Sequence, residues 1–238
     1  MKHPQTQSFL ALPLLTLLAI SPSHAGTSIS AHAATIGYGM EIGYKFNPDY
    51  GIRVGAQKLS RSFKFQSKDE NGVSGDELKY NGKINLKNAN IFADWYPSKH
   101  RFRLTGGLLL NNSIAKLITN CESNSSGINP IPTNCEIGAG SAVGSDIGEI
   151  TTKITFDNKV APYLGIGWGY EKDDSWGFSV DLGVAYLGNA DADIQSSGSC
   201  NTNASCRAQL DQEEKDVEDD LGSLKFFPVA KMGIGLVF

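Results

Sequence analysis

The eleven residues Ile36–Phe46 read IGYGMEIGYKF, and their character alternates at every position. Apolar or aromatic residues occupy the even-numbered positions, and glycine or a charged residue stands between them. Successive side chains of a β-strand point to opposite faces. The stretch therefore predicts a strand with one wide apolar face and one narrow, partly charged face.

The same alternation returns along the rest of the chain. Strong copies cover Val160–Tyr170, Trp176–Tyr186 and Ala230–Phe238, and weaker ones cover Tyr50–Gln57 and Arg101–Asn111. The segment Leu78–Tyr96 is also strand-like, but its alternation slips near Lys87 and Asn88, which predicts a β-bulge there.

Two classes of barrel are built from strands of this kind. A soluble lipocalin-type barrel turns its apolar face inward around a ligand, whereas a membrane barrel turns that face to lipid and fills its interior with polar and small groups. Glycine on the narrow face favours the membrane barrel, because the interior of a small barrel is crowded. Charged residues on this face are expected to pair inside the barrel; they are Glu41, Lys45, Arg53, Arg101, Arg103, Asp181 and Lys231.

The lengths of the connections fix the number of strands. Short turns follow Phe46, Tyr96 and Tyr170, whereas the long links are Gln66–Glu77, Ser113–Asn158 and Gly188–Ser223. In bacterial barrels short turns face the periplasm, long loops face outward, and the number of strands is even. Seven strands are visible, so Ser28–Ala34 is expected to supply the eighth. The predicted fold is all-β, a single eight-stranded antiparallel transmembrane β-barrel with long outer loops.

The N-terminal residues indicate export. Lys2, the apolar run Phe9–Ile20 and the small residues Ser23 and Ala25 predict a signal peptide over residues 1–25, which leaves residues 26–238 for the barrel domain. A net charge of −4 and 19% charged residues exclude both a disordered chain and a basic nucleic-acid-binding protein. The expected location is the cell outer membrane.

The end of the chain carries a resemblance to a known family. Lys231–Phe238 alternates apolar residues and ends in phenylalanine, and it resembles the C-terminal signal of outer-membrane proteins, in which Phe238 is the terminal residue. The mature chain is similar to eight-stranded barrels of the OmpA, OmpX and OmpW kind. Asp94–Pro97 and Ala161–Gly169 more closely resemble an uncharacterised set of proteobacterial outer-membrane proteins. The resemblance implies a monomer, assembled by the barrel-assembly machinery and surrounded by outer-membrane lipid and lipopolysaccharide.

Four cysteines lie in the long links. Cys121 and Cys135 share one link, and Cys200 and Cys206 share another. A metal site is the alternative to disulfides, but no histidine lies nearby and no CxxC motif occurs. Pairing of sequence neighbours, Cys121 with Cys135 and Cys200 with Cys206, is therefore the prediction.

The segment from Arg207 to Leu221 is strongly acidic. Leu210, Val217 and Leu221 fall at helical spacing, so a short helix is predicted. Its carboxylates could capture divalent cations, but a solvated acidic face is the more common role of such a segment. We expect neither a bound metal nor another cofactor.

The sequence leaves the role of the barrel open between three classes. The leading hypothesis is a surface-interaction or envelope-stabilising protein, and the runner-up is a small porin or an OmpW-like channel for small or apolar solutes. An enzyme is disfavoured, because only His32 and His100 follow residue 25 and neither stands at a telling distance from a serine or an acid.

Overall fold

A computed structural model of the protein describes residues 26–67, 78–97, 101–120, 148–169 and 175–238. Within these ranges the chain forms eleven β-strands and one α-helix. The strands are β1 (Gly26–Ala34), β2 (Gly37–Lys45), β3 (Tyr50–Ser67), β4 (Leu78–Trp95), β5 (Phe102–Asn111), β6 (Ile114–Asn120), β7 (Glu149–Phe156), β8 (Val160–Gly169), β9 (Ser175–Tyr186), β10 (Ala190–Ser196) and β11 (Phe226–Val237). The helix α1 spans Ala204–Asp220, between 3-10 turns at Ser199–Asn201 and Leu221–Lys225. Among the described helices, none is long and apolar enough to cross a bilayer.

Eight of the described strands close into an antiparallel barrel. Their order around the wall is β1, β2, β3, β4, β5, β8, β9 and β11, and β11 pairs back onto β1. The closing ladder runs from Ser28 opposite Val237 to Ala34 opposite Lys231. The predicted all-β class, the strand number and the use of Ser28–Ala34 as the first strand are therefore confirmed.

The outer wall of the barrel is apolar over a continuous band. Leu164 and Phe178 leave 74% and 78% of their surface exposed, and Met40, Ile166 and Met232 leave 60%, 48% and 67% exposed. A large contiguous patch of exposed apolar side chains marks a surface that contacts another protein, a ligand or a membrane. The inner wall carries the glycines and the charged residues, as the alternation in the sequence predicts.

The barrel has two unlike ends. We call the end with the links at 46–49 and 96–101 the turn end, and the opposite end the loop end. At the loop end β3 and β4 continue beyond the barrel and are joined by β6, β7 and β10 in the order β3, β4, β6, β7, β10. We call this extension the upper sheet. The long links Ser113–Asn158 and Gly188–Ser223 lie at the loop end, and both contain strands that were not expected. The helix predicted in Arg207–Leu221 is present as α1.

The predicted bulge near Lys87 and Asn88 is also wrong. Lys58 pairs with Lys87 and Gln57 pairs with Asn88 in one uninterrupted register along β3 and β4. The slip in the pattern has a different cause, because the two faces of β4 exchange character where the strand leaves the apolar band. Below Asn88 the outward residues are apolar, whereas above it they are lysine and asparagine, and the apolar residues lie on the inner face.

Helix α1 protects the open edge of the upper sheet. Glu218 accepts a hydrogen bond from the backbone N–H of Ala192 at 3.1 Å, and Glu214 accepts one from that of Ile194 at 2.8 Å. Arg207 donates to the carbonyl of Ile194 at 2.9 Å. An unprotected edge strand recruits further strands. Side chains of α1 therefore take the place of the next strand along β10.

A disulfide joins Cys200 to Cys206, between the 3-10 turn and the first turn of α1. Asn203 caps the same helix by accepting from the backbone N–H groups of Ser205 and Cys206. The disulfide and the cap together fix the start of the helix. Cys121 and Cys135 lie outside the described residues, so the predicted bond between them stays a prediction, as does the signal peptide over residues 1–25.

Leu182 tests the apolar band, because it lies on the outer face of β9 and is 53% exposed. Leu182→Arg should lower the free energy of unfolding in lipid vesicles by about 2–4 kcal/mol, because arginine near the bilayer midplane is costly. Ser60→Arg, at an exposed position of β3 above the band, is the control and should change it by less than about 0.5 kcal/mol. Equal effects of the two variants, read from urea titrations, would contradict the assignment of the band.

Removal of the Cys200–Cys206 disulfide should affect α1 and not the barrel. The double variant Cys200→Ser with Cys206→Ser should retain a folded barrel, because the barrel ladders do not include this segment, while external protease should cut near α1 faster. Peptide mapping and heat-dependent gel mobility measure the two effects, with Cys121→Ser and Cys135→Ser as the matched control. Loss of the folded gel species in the first variant would show that the barrel depends on this bond.

Candidate functional site

The interior of the barrel is organised around the guanidinium of Arg53 on β3. It makes a two-point contact with Asp94, from Nε to Oδ2 at 2.5 Å and from Nη2 to Oδ1 at 2.9 Å. Its Nη1 lies 2.8 Å from Glu41 Oε1 and 3.4 Å from Asp181 Oδ2. Two-point pairing of arginine with a carboxylate fixes the orientation as well as the charge. One side chain thus ties together β2, β3, β4 and β9.

Two further cations balance these carboxylates. Lys231 Nζ donates to Glu41 Oε2 at 2.8 Å, and Arg103 Nη2 donates to Asp181 Oδ1 at 2.7 Å. We call the six residues Glu41, Arg53, Asp94, Arg103, Asp181 and Lys231 the lumen cluster. All six are less than one tenth exposed. Among the described residues, the cluster contains three acids and three bases, so its formal charge is zero.

Neutral side chains complete the hydrogen bonding of the lumen cluster. Thr105 Oγ1 donates to Asp94 Oδ1 at 2.6 Å, and Asn90 Nδ2 donates to Glu41 Oε2 at 3.0 Å. Buried charges are tolerated where each is paired and its remaining hydrogen-bonding positions are filled. The lumen cluster meets both conditions.

An apolar layer lies on the loop-end side of the lumen cluster. The rings of Phe92 and Tyr163 stack with centroids 4.4 Å apart, and Leu109, Ala161 and Val229 pack around them in a buried group. The guanidinium carbon of Arg53 lies 5.6 Å from the centroid of the Phe92 ring. The aromatic layer therefore covers the lumen cluster on one side.

Glycines of the inner wall make room for these side chains. A Cβ placed on Gly167 would lie 2.6 Å from Arg103 Nε, and one on Gly165 would lie 2.6 Å from Tyr163 Oη. Such approaches are closer than real Cβ atoms make. The period-two glycines are thus required by the filling of the barrel.

The predicted interior residues divide into three groups. Glu41, Arg53, Arg103, Asp181 and Lys231 all lie in the lumen cluster. Lys45 is half-buried near the turn end, where its Nζ lies 4.1 Å from the centroid of the Tyr96 ring. Arg101 was expected inside but is exposed, because it precedes β5 at the rim of the turn end.

Asp94 was not predicted as an interior residue. Its position could have been predicted from the alternation, because Asp94 lies on the same face of β4 as Asn90 and Phe92, both of which are buried. The apparent slip near Lys87 obscured this parity.

The remaining candidates lie elsewhere. Phe238 is exposed at the turn end, where its backbone N–H donates to the carbonyl of Thr27 at 2.8 Å and so ends the closing ladder. His32 is buried, with Nε2 3.3 Å from Gln57 Oε1. Among the described residues, no three His, Cys, Asp or Glu side chains are grouped closely enough to hold a metal ion.

Removal of Arg53 tests the lumen cluster. Arg53→Met should lower the free energy of unfolding by about 3–5 kcal/mol, because Glu41, Asp94 and Asp181 would then share only two cations. Arg61→Met, at an exposed position of the same strand, should change it by less than about 0.5 kcal/mol. Urea titration in vesicles measures both, and a small effect at Arg53 would mean that the contacts add little stability.

The chain is similar in fold to two solved barrels. The crystal structure of CarO2 from Acinetobacter baumannii superimposes with a TM-score of 0.58 at 23% identity, and the match covers 90% of this chain and 98% of that one. The crystal structure of CarO from the same organism gives 0.54 at 21% identity, over 89% and 97% of the two chains. No protein-family model and no curated protein sequence matches. The comparison therefore supports the fold, a closed eight-stranded antiparallel barrel.

Proposed function

We propose that this protein is an integral outer-membrane barrel that does not conduct and that presents its upper sheet and α1 at the cell surface, in a surface-interaction or envelope-stabilising role. The observation that carries the proposal is the filled lumen. The lumen cluster and the Phe92–Tyr163 layer occupy the interior from wall to wall, where a porin has a water-filled channel.

Several features support a membrane location. The exposed band of large apolar side chains circles the wall, and the backbone groups of the barrel pair between strands with closure of β11 on β1. A bilayer accepts β-structure only in this closed form. The predicted signal peptide and the terminal Phe238 agree with export and barrel assembly. We place the turn end in the periplasm and the loop end outside, as in other bacterial barrels.

The eight strands of the closed barrel support kinship with small barrels of the OmpA, OmpX and OmpW kind, and we propose that the protein acts as a monomer. We further propose that it is not an enzyme. His32, the one histidine in the described part of the chain, is buried inside the barrel with its Nε2 3.3 Å from Gln57 Oε1.

Conductance in planar bilayers tests the proposal. The purified protein should give no stable single-channel steps, because the lumen cluster is buried and Arg53 on β3 contacts Asp181 on β9 across the interior. The double variant Arg103→Ala with Asp181→Ala removes one acid and one base, and so opens space without changing the net charge. It should conduct.

The matched control removes the exposed ion pair of α1, whose Arg207 Nε and Asp211 Oδ1 are 2.8 Å apart. Arg207→Ala with Asp211→Ala should stay silent. Regular steps from the unmodified protein would overturn the proposal in favour of the channel for small or apolar solutes.

A further inference from the structure

A cavity of about 500 Å³ opens in the wall of the barrel at the loop end, where β3, β4, β5 and β8 meet the upper sheet. Its charged lining is Lys58, Lys87 and Lys159, and its apolar lining includes Leu110 and Val160. We call it the rim cavity. It lies at the upper limit of the apolar band, where a bilayer gives way to its headgroups.

Among the described residues, the lysines of the rim cavity have no partners. Lys58 on β3 stands directly opposite Lys87 on β4, an arrangement that is unfavourable for like charges. Lys159 also lines the rim cavity, and its backbone carbonyl accepts a hydrogen bond from the Asn111 N–H at 2.8 Å. Over the described part of the chain, the ammonium groups of these three lysines form neither an ion pair nor a hydrogen bond. Within the part of the chain that the structure describes, the site therefore carries positive charge that no acidic side chain balances.

More lysines continue this charge up the outer face of the upper sheet. Lys83 on β4 is opposite Lys116 on β6, and Lys116 is in turn opposite Lys153 on β7. All three are exposed, and the next residue in the row is Asp193 on β10. The protein as a whole has a net charge of −4, so this basic face is local. These lysines lie on the side of the barrel where the upper sheet extends from β3 and β4.

The floor of the rim cavity is apolar. Leu110 and Val160 are 42% and 51% exposed, and both belong to the outward, lipid-type face of their strands. Ala89 adds a third small apolar surface. The side-chain amide of Asn112 is exposed beside Lys87, whose carbonyl accepts from the backbone N–H of Asn112 at 2.9 Å. Positive charge and hydrogen-bond donors thus stand directly above surface suited to hydrocarbon.

We infer that the rim cavity binds the phosphate of a phosphorylated glycolipid in the outer leaflet. Lys58, Lys87 and Lys159 would donate charge-assisted hydrogen bonds to the phosphate, Asn112 would bond a sugar oxygen, and the acyl chains would lie against Leu110 and Val160. The wider lysine face, formed with Lys83, Lys116 and Lys153, would meet the anionic groups of neighbouring lipids. This inference rests on the proposed outer-membrane location and names a ligand for the rim cavity.

Binding of lipid A to the folded protein in neutral detergent tests the inference. The double variant Lys58→Gln with Lys87→Gln should bind roughly 30-fold more weakly, since each lysine near an anionic surface contributes about a factor of five. Lys215→Gln with Lys225→Gln removes the same charge from α1 and the turn after it, and should bind as the unmodified protein does.

Two further probes identify the source of the phosphate. Lipid A stripped of its phosphates should bind at least about tenfold more weakly, and millimolar inorganic phosphate should not displace lipid A, because it has no hydrocarbon to place on the apolar floor. Displacement by inorganic phosphate, or equal binding of the stripped lipid or of the Lys58 and Lys87 variant, would overturn the inference. Failure to form the heat-modifiable folded species in detergent would instead overturn the proposed membrane location.

Discussion

Arg53 is a permanent cation held inside a narrow closed barrel, and the rest of the interior follows from the need to neutralise it. A buried charge without a partner is among the costliest features a protein can contain. Three carboxylates from β2, β4 and β9 surround the guanidinium, and they in turn require Arg103 and Lys231. Glycine at positions such as Gly167 then becomes necessary, because the space beside these side chains is already filled. The glycine-rich face of the strands and the charge of the lumen are two consequences of one arrangement.

The long strands β3 and β4 pass from the apolar band of the barrel into the upper sheet, and the character of their two faces changes between these regions. Within the apolar band, β3 and β4 turn their large apolar residues outward, and above it the same strands turn them inward without any shift of register. The inner face of the upper sheet is therefore the apolar one, and α1 shields its last strand by supplying Glu214, Glu218 and Arg207 to the backbone of β10. The outward side at the same height is rich in lysine.

Alternation of residue character was sufficient to predict the barrel, its strand number and most of its interior charges, because this signal depends only on which face each residue occupies. The three strands of the upper sheet were not predicted, since Ile114–Asn120, Glu149–Phe156 and Ala190–Ser196 are short and half-buried and lack the wide apolar face that lipid demands. Asp94 was not predicted for a related reason. Near Lys87 the apolar residues of β4 move from the outer face to the inner face, and in the sequence alone this resembles a break in the alternation. Pairings between distant strands, such as Arg53 with Asp181, require the barrel to be closed before they can be seen.

The breaks in three strands lie side by side. Asn112 and Ser113 separate β5 from β6, Asp157–Lys159 separates β7 from β8, and Leu187–Asn189 separates β9 from β10. Hydrogen bonds from Asn112 to Lys87 and from Asn158 to Leu187 join neighbouring strands at this level. This level separates the barrel from the upper sheet and α1. Residues can be inserted, lost or exchanged above it while the tilt and stagger of the barrel strands stay the same. The barrel can thereby keep its geometry when the sequence of the upper sheet and α1 changes.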